Sequence, residues 1–271
     1  MLLSLACRVM FMLGGHVMLD PESSTQEWTG TPKPCLQAKR HLRQLFWLCY
    51  TLDKEISLRT LQPPSIDDDH CDLTLPAGYL ESQYIDKHRF ADVGSLDETA
   101  VPILPGDLRL NIIKSKVCRL LYSAAAFRKT DAELLRDIRE LDDELEKWRL
   151  SIPETIRPVL SIWKGTTCSG GFKPEGPESI RTIVINFEYH YLLASIHRAT
   201  GRCLAWGKEP CCEMDGVSSS LTLSVEASRS TLLYLRSAIH AILGEAFWYF
   251  SSYSHLPSNP PYLQLANRSQ G

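Results

Sequence analysis

RHLRQLFWLCYTLDKEISLRTLQPPSIDDDHCDLTLP, residues Arg40 to Pro76, is the stretch whose reading decides the fold. From Lys39 to about Thr60, the residues Leu42, Leu45, Phe46, Cys49, Leu52 and Ile56 return at three- and four-residue steps, the period of an amphipathic helix. Lys39, Arg40, His41 and Arg43 lead in on the polar side, and Trp47 and Tyr50 flank the apolar stripe. Pro63-Pro64 forbids further helix, because proline lacks the amide N–H and clashes with the preceding turn. An acidic loop follows, Asp67-Asp68-Asp69-His70-Cys71-Asp72, closed by Leu73, Leu75 and Pro76. Its first aspartates are expected to cap a turn and face solvent. Asp53 borders the stripe; once buried its carboxylate must find a donor, and Arg59 or Arg198 is the expected partner. Arg43, or a neighbour, is expected to pair with an acidic residue.

Working outward, Leu2, Leu5, Ala6, Val9, Met12 and Leu13 form a helical stripe that Gly14-Gly15 ends. This run has no basic start, is interrupted by Arg8 and is too short to span a bilayer, so neither a signal peptide nor a membrane anchor is expected. Asp20–Leu36 reads as a loop, and residues 77–106 as a long irregular connection with a short helix from Leu80 to Phe90. From Leu108 to Phe127 helical spacing returns on Ile113, Val117, Leu120, Leu121 and Ala124. Thr130-Asp131-Ala132-Glu133 is a capping box, and Leu134, Ile138, Leu141, Leu145, Trp148 and Ile152 step away from it by four and three. Arg139–Asp143 and Asp143–Lys147 are i,i+4 pairs on its outer face. The seam is shorter than three heptads, which favours packing within the domain over a coiled coil.

Pro153–Pro177 forms a second connection. Ser179–Ala199 is apolar nearly all round, so it must be the central helix of the core. A third loop, Gly201–Leu223, leads to a helix at Ser224–Leu243, then a last turn at Ala246–Phe250 and a polar, proline-rich tail from Pro257 to Gly271 that is expected to be disordered. With no surviving strand pattern, the chain reads as all-α, an irregular multi-helix bundle with long loops.

The LFW-x-x-Y-x-LD helix followed by PP-S-I-D-D-D-x-C-D-L-x-LP resembles the signature of the fungal-specific transcription factor regulatory domain. This is the middle homology region of zinc binuclear-cluster transcription factors, of the xylanolytic-activator type. The positions that carry the resemblance are Phe46, Trp47, Tyr50, Asp53, Pro63, Pro64, Asp67, Asp69, Cys71, Asp72 and Pro76. LLSLACRVMFMLGGH, the segment LDDELEKWRLSIPETIRP and a helix closing on His197-Arg198 resemble further parts of the family in the same order. Leu61-Gln62 departs from it, where the family usually reads glycine-arginine. The resemblance implies a regulatory and interaction domain over residues 1–256, incomplete at both ends, in a nuclear regulator of transcription. It also implies protein partners or self-association through helical surfaces, and a small-molecule effector held between the Ser179–Ala199 and Arg40–Thr60 helices.

The family's zinc cluster has no counterpart here. The nine cysteines lie at 7, 35, 49, 71, 118, 168, 203, 211 and 212, with no C-x-x-C and no partner for the adjacent pair. They read as buried small hydrophobes in a reducing compartment. A net charge of −3 over 271 residues gives no general attraction to nucleic acid. Zinc and DNA are therefore expected only through a domain missing from this chain, which itself holds no cofactor.

Two other readings compete. Asp68-Asp69-His70-Cys71-Asp72 fits D-D-x-x-D, the magnesium-pyrophosphate motif of class I prenyl and terpene synthases, which are also all-α. That chemistry needs carboxylates one turn apart on a helix wall, whereas here prolines bracket the motif. The similar string Asp142-Asp143-x-x-Glu146 falls on a charged outer face. A helical scaffold of unknown partner is the third possibility. His70-Cys71, Ser161-x-x-Lys164 and the His190/His197 pair lack the companions that catalysis or metal binding would need, and the two histidines are expected to be buried and hydrogen-bonded. The placement of Asp68, Asp69 and Asp72, on a cavity-facing helix or in a surface loop, separates the enzyme from the regulator.

Overall fold

Residues 2–17, 34–76, 79–80, 106–160, 180–203 and 214–242 are described by a computed structural model. They form six α-helices: α1 (Leu2–Met12), α2 (Pro34–Thr60), α3 (Leu108–Leu121), α4 (Asp131–Leu150), α5 (Ile180–Arg198) and α6 (Met214–Ile242). Short 3-10 turns at Asp68–His70, Ala126–Arg128, Glu154–Ile156 and Ala199–Arg202 complete them, and no strand occurs among the described residues. The fold is all-α, as the sequence predicts. The expected helix beyond Leu80, the 161–164 pattern, Cys168, Cys211 and Cys212, the 246–250 run and the 257–271 tail lie outside the described residues.

The helices pack in chain order, α1 on α2, α2 on α3, α3 on α4, α4 on α5 and α5 on α6, with α5 also reaching α3. α5 is buried on every side from Ile183 to Ile196, as its nearly all-round apolar sequence requires. Each of Ile183, Ile185, Leu192, Leu193 and Ile196 contributes about 1.5–3 kcal/mol by leaving water. α4 begins at the Thr130 capping box, whose hydroxyl accepts the Glu133 N–H at 3.3 Å while the Glu133 carboxylate takes the Thr130 N–H at 2.8 Å. Its seam, Leu134, Ile138, Leu141, Leu145 and Trp148, is buried in the domain's main core with α3 and α5. Of the two expected surface pairs, Asp143–Lys147 closes at 2.6 Å.

Three readings change. α2 starts at Pro34, earlier than expected, and its inward face is rotated: Phe46, Trp47, Cys49, Tyr50, Asp53, Lys54, Ser57 and Leu58 are buried, while Leu45, Leu52 and Ile56 are exposed. The large rings of Trp47 and Tyr50 cover more core than the leucines, and the charges between them serve the loop that follows. α1 likewise turns Leu3, Ala6, Cys7, Met10 and Phe11 to α2 and leaves Leu2, Leu5, Val9, Met12 and Leu13 outside. The expected stripe is therefore its outer face, apart from Ala6. α6 begins at Met214, inside the expected third loop. Its serine- and threonine-rich first half has weak helix propensity, but packing on α5 overrides that, and Thr222 and Ser228 return their hydroxyls to carbonyls four residues back.

Candidate functional site

The Pro63–Pro76 loop lies against α2, and buried charges seat it there. Asp53, 3% exposed, accepts the Ser65 N–H at 2.8 Å and the Ile66 N–H at 3.1 Å, one on each carboxylate oxygen. Its donors are thus backbone amides of the loop folded back over the helix, and not Arg198 or Arg59, which pairs with Glu55 instead. Lys54 is 1% exposed; its ammonium donates to the Ile66 carbonyl, lies 3.1 Å from Asp68 and 3.7 Å from Asp53, and sits 4.8 Å above the Tyr50 ring. The Tyr50 hydroxyl donates to Asp68 at 3.1 Å. Burial first, and Asp68 second, push that phenol well above its ordinary range. Between these anchors Ile66 is driven into the aromatic cluster of Phe46, Trp47 and Tyr50.

The signature aspartates part company within a few residues. Asp67 caps the 3-10 turn, accepting the Asp69 N–H at 3.2 Å, as expected for the first aspartates of the loop. Asp68 points inward to Lys54. Asp69 is exposed, 3.7 Å from Arg119. Asp72 accepts the Thr74 N–H at 2.8 Å and stands 4.0 Å from Arg43; the Thr74 hydroxyl first, and its N–H second, hold the Asp72 carboxyl below the usual range. Each carboxylate thus takes its own partner from a loop, so the one-wall arrangement of a magnesium-pyrophosphate site is not formed. Pro63 and Pro64 are exposed, and the Pro76 carbonyl accepts the Tyr79 N–H at 3.0 Å. Cys71 is half-buried, its thiol pushed up to about 11 by burial and by Asp68.

Arg43 ties the loop to α1. It donates to the carbonyls of Gly15 at 3.4 Å, Thr74 at 3.2 Å and Asp72, and lies 4.7 Å and 5.3 Å above the rings of Phe46 and Trp47. Gly15 sits in close approach: a Cβ there would meet the flexible end of Met10 at 2.5 Å and the Leu42 carbonyl at 3.2 Å. Leu61, in the place of the family's glycine, turns the chain out of α2 with φ of 57°, a left-handed conformation that glycine adopts without strain.

A second buried centre, unforeseen in the sequence, joins α2, α3 and α5. Lys114 of α3 is 0% exposed and bridges Glu55 of α2 at 2.5 Å and Glu188 of α5 at 3.0 Å, with Asn111 Oδ1 at 3.2 Å. Glu55 also accepts the Arg59 Nε–H at 2.6 Å. Two cations hold the Glu55 carboxyl at about 2 against the effect of its burial. Glu188 rises to about 7, chiefly through burial, because Lys114 is shared and its Oε2 has no hydrogen-bond partner. At the start of α3, fully buried Asp107 caps Arg109, accepts its guanidinium and takes the Trp148 indole N–H at 2.7 Å.

The two histidines of α5 are buried and hydrogen-bonded, as expected. His190 Nε2 meets the Val159 carbonyl at 2.9 Å, and burial pulls its pKa down to about 4, so the ring is neutral and donates. His197 is held by Ser220 at 2.7 Å and Asp142 at 3.1 Å, while its neighbour Arg198 is half-buried at the helix end. Lys54 and Glu55, the two charges that follow Asp53, were not singled out in the sequence, yet Lys54 is buried under the loop and Glu55 closes on Lys114.

The arrangement is structural in character, a charge-seated loop on a helical core, and comparison with known proteins agrees. The model of the fungal specific transcription factor domain matches residues 5–150. ABC-transporter-regulating transcription factors of Aspergillus oryzae and Aspergillus fumigatus are each 34% identical over 165 residues, covering 58% of this chain and 16% of theirs. A transcriptional regulatory protein of Schizosaccharomyces pombe is 26% identical over 199 residues, covering 72% of this chain and 24% of its own. The Fusaridione A cluster transcription factor of Fusarium heterosporum is 27% identical over 164 residues, 58% of this chain and 26% of that protein. No solved structure matches. This chain belongs to the fungal specific transcription factor domain family. It spans about a quarter or less of the length of these relatives.

Proposed function

We propose that this chain is the regulatory and interaction domain of a nuclear transcription factor, acting through protein contacts and without a reaction of its own. The observation that carries the proposal is the seating of the signature loop by Asp53 and Lys54, inside the region that the family model matches. Its separately paired aspartates are spent on architecture, which favours a regulator over a magnesium-dependent enzyme. DNA and zinc would be engaged by a cluster domain elsewhere in the full-length protein; the acidic net charge of −3 fits that division of labour. Among the described residues no helix is long and apolar enough to cross a membrane.

The test is a reporter assay. The 271-residue chain is placed between a heterologous DNA-binding domain and an activation segment, and output is compared with the same fusion lacking it. A several-fold change that Asp53→Ala abolishes supports regulation; identical output with and without the chain refutes it. A thermal-shift screen of metabolites addresses the effector. Stabilisation that Glu188→Gln removes would place it at the buried centre, and the absence of any shift would remove the effector from the proposal.

A further inference from the structure

Cys7 of α1 and Cys49 of α2 are buried in the same cluster, where α1 packs on α2, with the Cys7 thiol beside the Cys49 sulfur. Both are free thiols, and the regulatory reading uses neither. The helices run antiparallel: Ser4 touches Ser65, which sits over Asp53 of α2, at 3.1 Å, and Gly15 faces Leu42 nearer the start of α2. A bond at the crossing of Cys7 and Cys49 would join elements 42 positions apart in sequence (49 − 7). α1 rests on the core by one side only, with Leu2, Leu5, Val9, Met12 and Leu13 in solvent. Such an element is drawn from the low-stability end of a fold and opens locally.

We propose that Cys7 and Cys49 form a reversible disulfide that locks α1 to α2 when a hydroperoxide reaches the chain. The Cys49 thiolate attacks the outer peroxide oxygen; the O–O bond breaks, the alkoxide takes a proton and leaves as alcohol, and Cys49 becomes a sulfenic acid. The Cys7 sulfur, giving up its proton, then attacks the Cys49 sulfur, and the S–O bond breaks to release water. Two thiols lose two electrons and two protons; one peroxide becomes one alcohol and one water.

The order of attack follows from the surroundings. Burial and nearby Asp53 push the Cys7 thiol up to about 12. Burial also raises Cys49, but the hydrogen bond from Cys7 works the other way, and Cys49 is the more exposed of the two, at 9% against 1%. In the closed state both thiols are poor nucleophiles, so the opening of α1 gates the reaction. Transient disulfides of this kind are the form that redox sensing takes in a reducing compartment.

The experiment treats the full chain with tert-butyl hydroperoxide, blocks remaining thiols with N-ethylmaleimide and maps peptides without reduction. The expected product joins the Cys7 and Cys49 peptides at a mass about 2 Da below their reduced sum, is reversed by dithiothreitol, and shows slower amide exchange across α1. Cys71→Ser keeps the link, and Cys7→Ser loses it. Recovery of both Cys7 and Cys49 as maleimide adducts while other cysteines are consumed overturns the proposal. So does a link from either residue to a different cysteine.

Discussion

Replacing Asp53 by alanine removes the acceptor of two backbone amides and one of the anions around Lys54. The Ser65 and Ile66 N–H groups, at 2.8 and 3.1 Å from the carboxylate, would each lose a charge-assisted bond, at about 1–3 kcal/mol apiece where they stay dry. Lys54 keeps Asp68 and the Ile66 carbonyl, so its charge is not stranded. The total is about 2–6 kcal/mol, a large share of the roughly 5–15 kcal/mol that holds a domain together. Urea unfolding measures it as a drop in midpoint. Lys54→Met, close in length and neutral, completes a double-mutant cycle with Asp53→Ala, for which a coupling of about 1–3 kcal/mol is expected. Amide exchange gives a local reading, with the protection of Ser65 and Ile66 collapsing in the alanine variant. An Asp53→Ala loss under about 1 kcal/mol, or strictly additive single effects, would refute the claim that these charges seat the loop.

Three further outcomes follow from single contacts. Glu188, with its folded pKa raised to about 7 from 4.5, supports the fold fully only below its unfolded value, and that support is lost as pH rises through about 7. Glu188→Gln should therefore flatten the pH–stability profile between those limits, and an unchanged slope in pH-jump unfolding would contradict it. Glu55, held at about 2, acts in the opposite sense, its contribution being lost only as pH falls through about 2. Leu61→Gly should raise stability by about 0.5–1 kcal/mol, relief of left-handed strain outweighing the added freedom of the unfolded chain, and a lower urea midpoint would count against it. Trp148→Phe keeps the ring in the core but strips Asp107 of its indole donor, with an expected cost of about 1–3 kcal/mol on calorimetry.

Period and capping made much of this fold legible. The Thr130 box, the α4 seam and the nearly all-round apolar α5 each state their role in a single stretch of residues. Face selection on α1 and α2 was not legible, because both helices are apolar on more than one side and periodicity does not say which side meets the core. The start of α6 was hidden by residues that favour helix only once α5 is alongside. The buried ions were hidden for another reason: Lys114 and Glu188 lie 74 residues apart, and each alone reads as a solvated charge. Asp53 could be flagged as a carboxylate in need of donors, but amides are present at every position, so the sequence did not single out those of Ser65 and Ile66.

Arg43 grips carbonyl oxygens, and carbonyl oxygens are the same in every amino acid. Its hold on the Thr74 carbonyl is therefore indifferent to the side chain at that position, while at Asp72 the carboxylate 4.0 Å away adds to the backbone contact. The surface of that loop can drift toward new binding partners while its path across the molecule stays put. In this corner of the domain one guanidinium separates what is free to diversify from what must keep its shape.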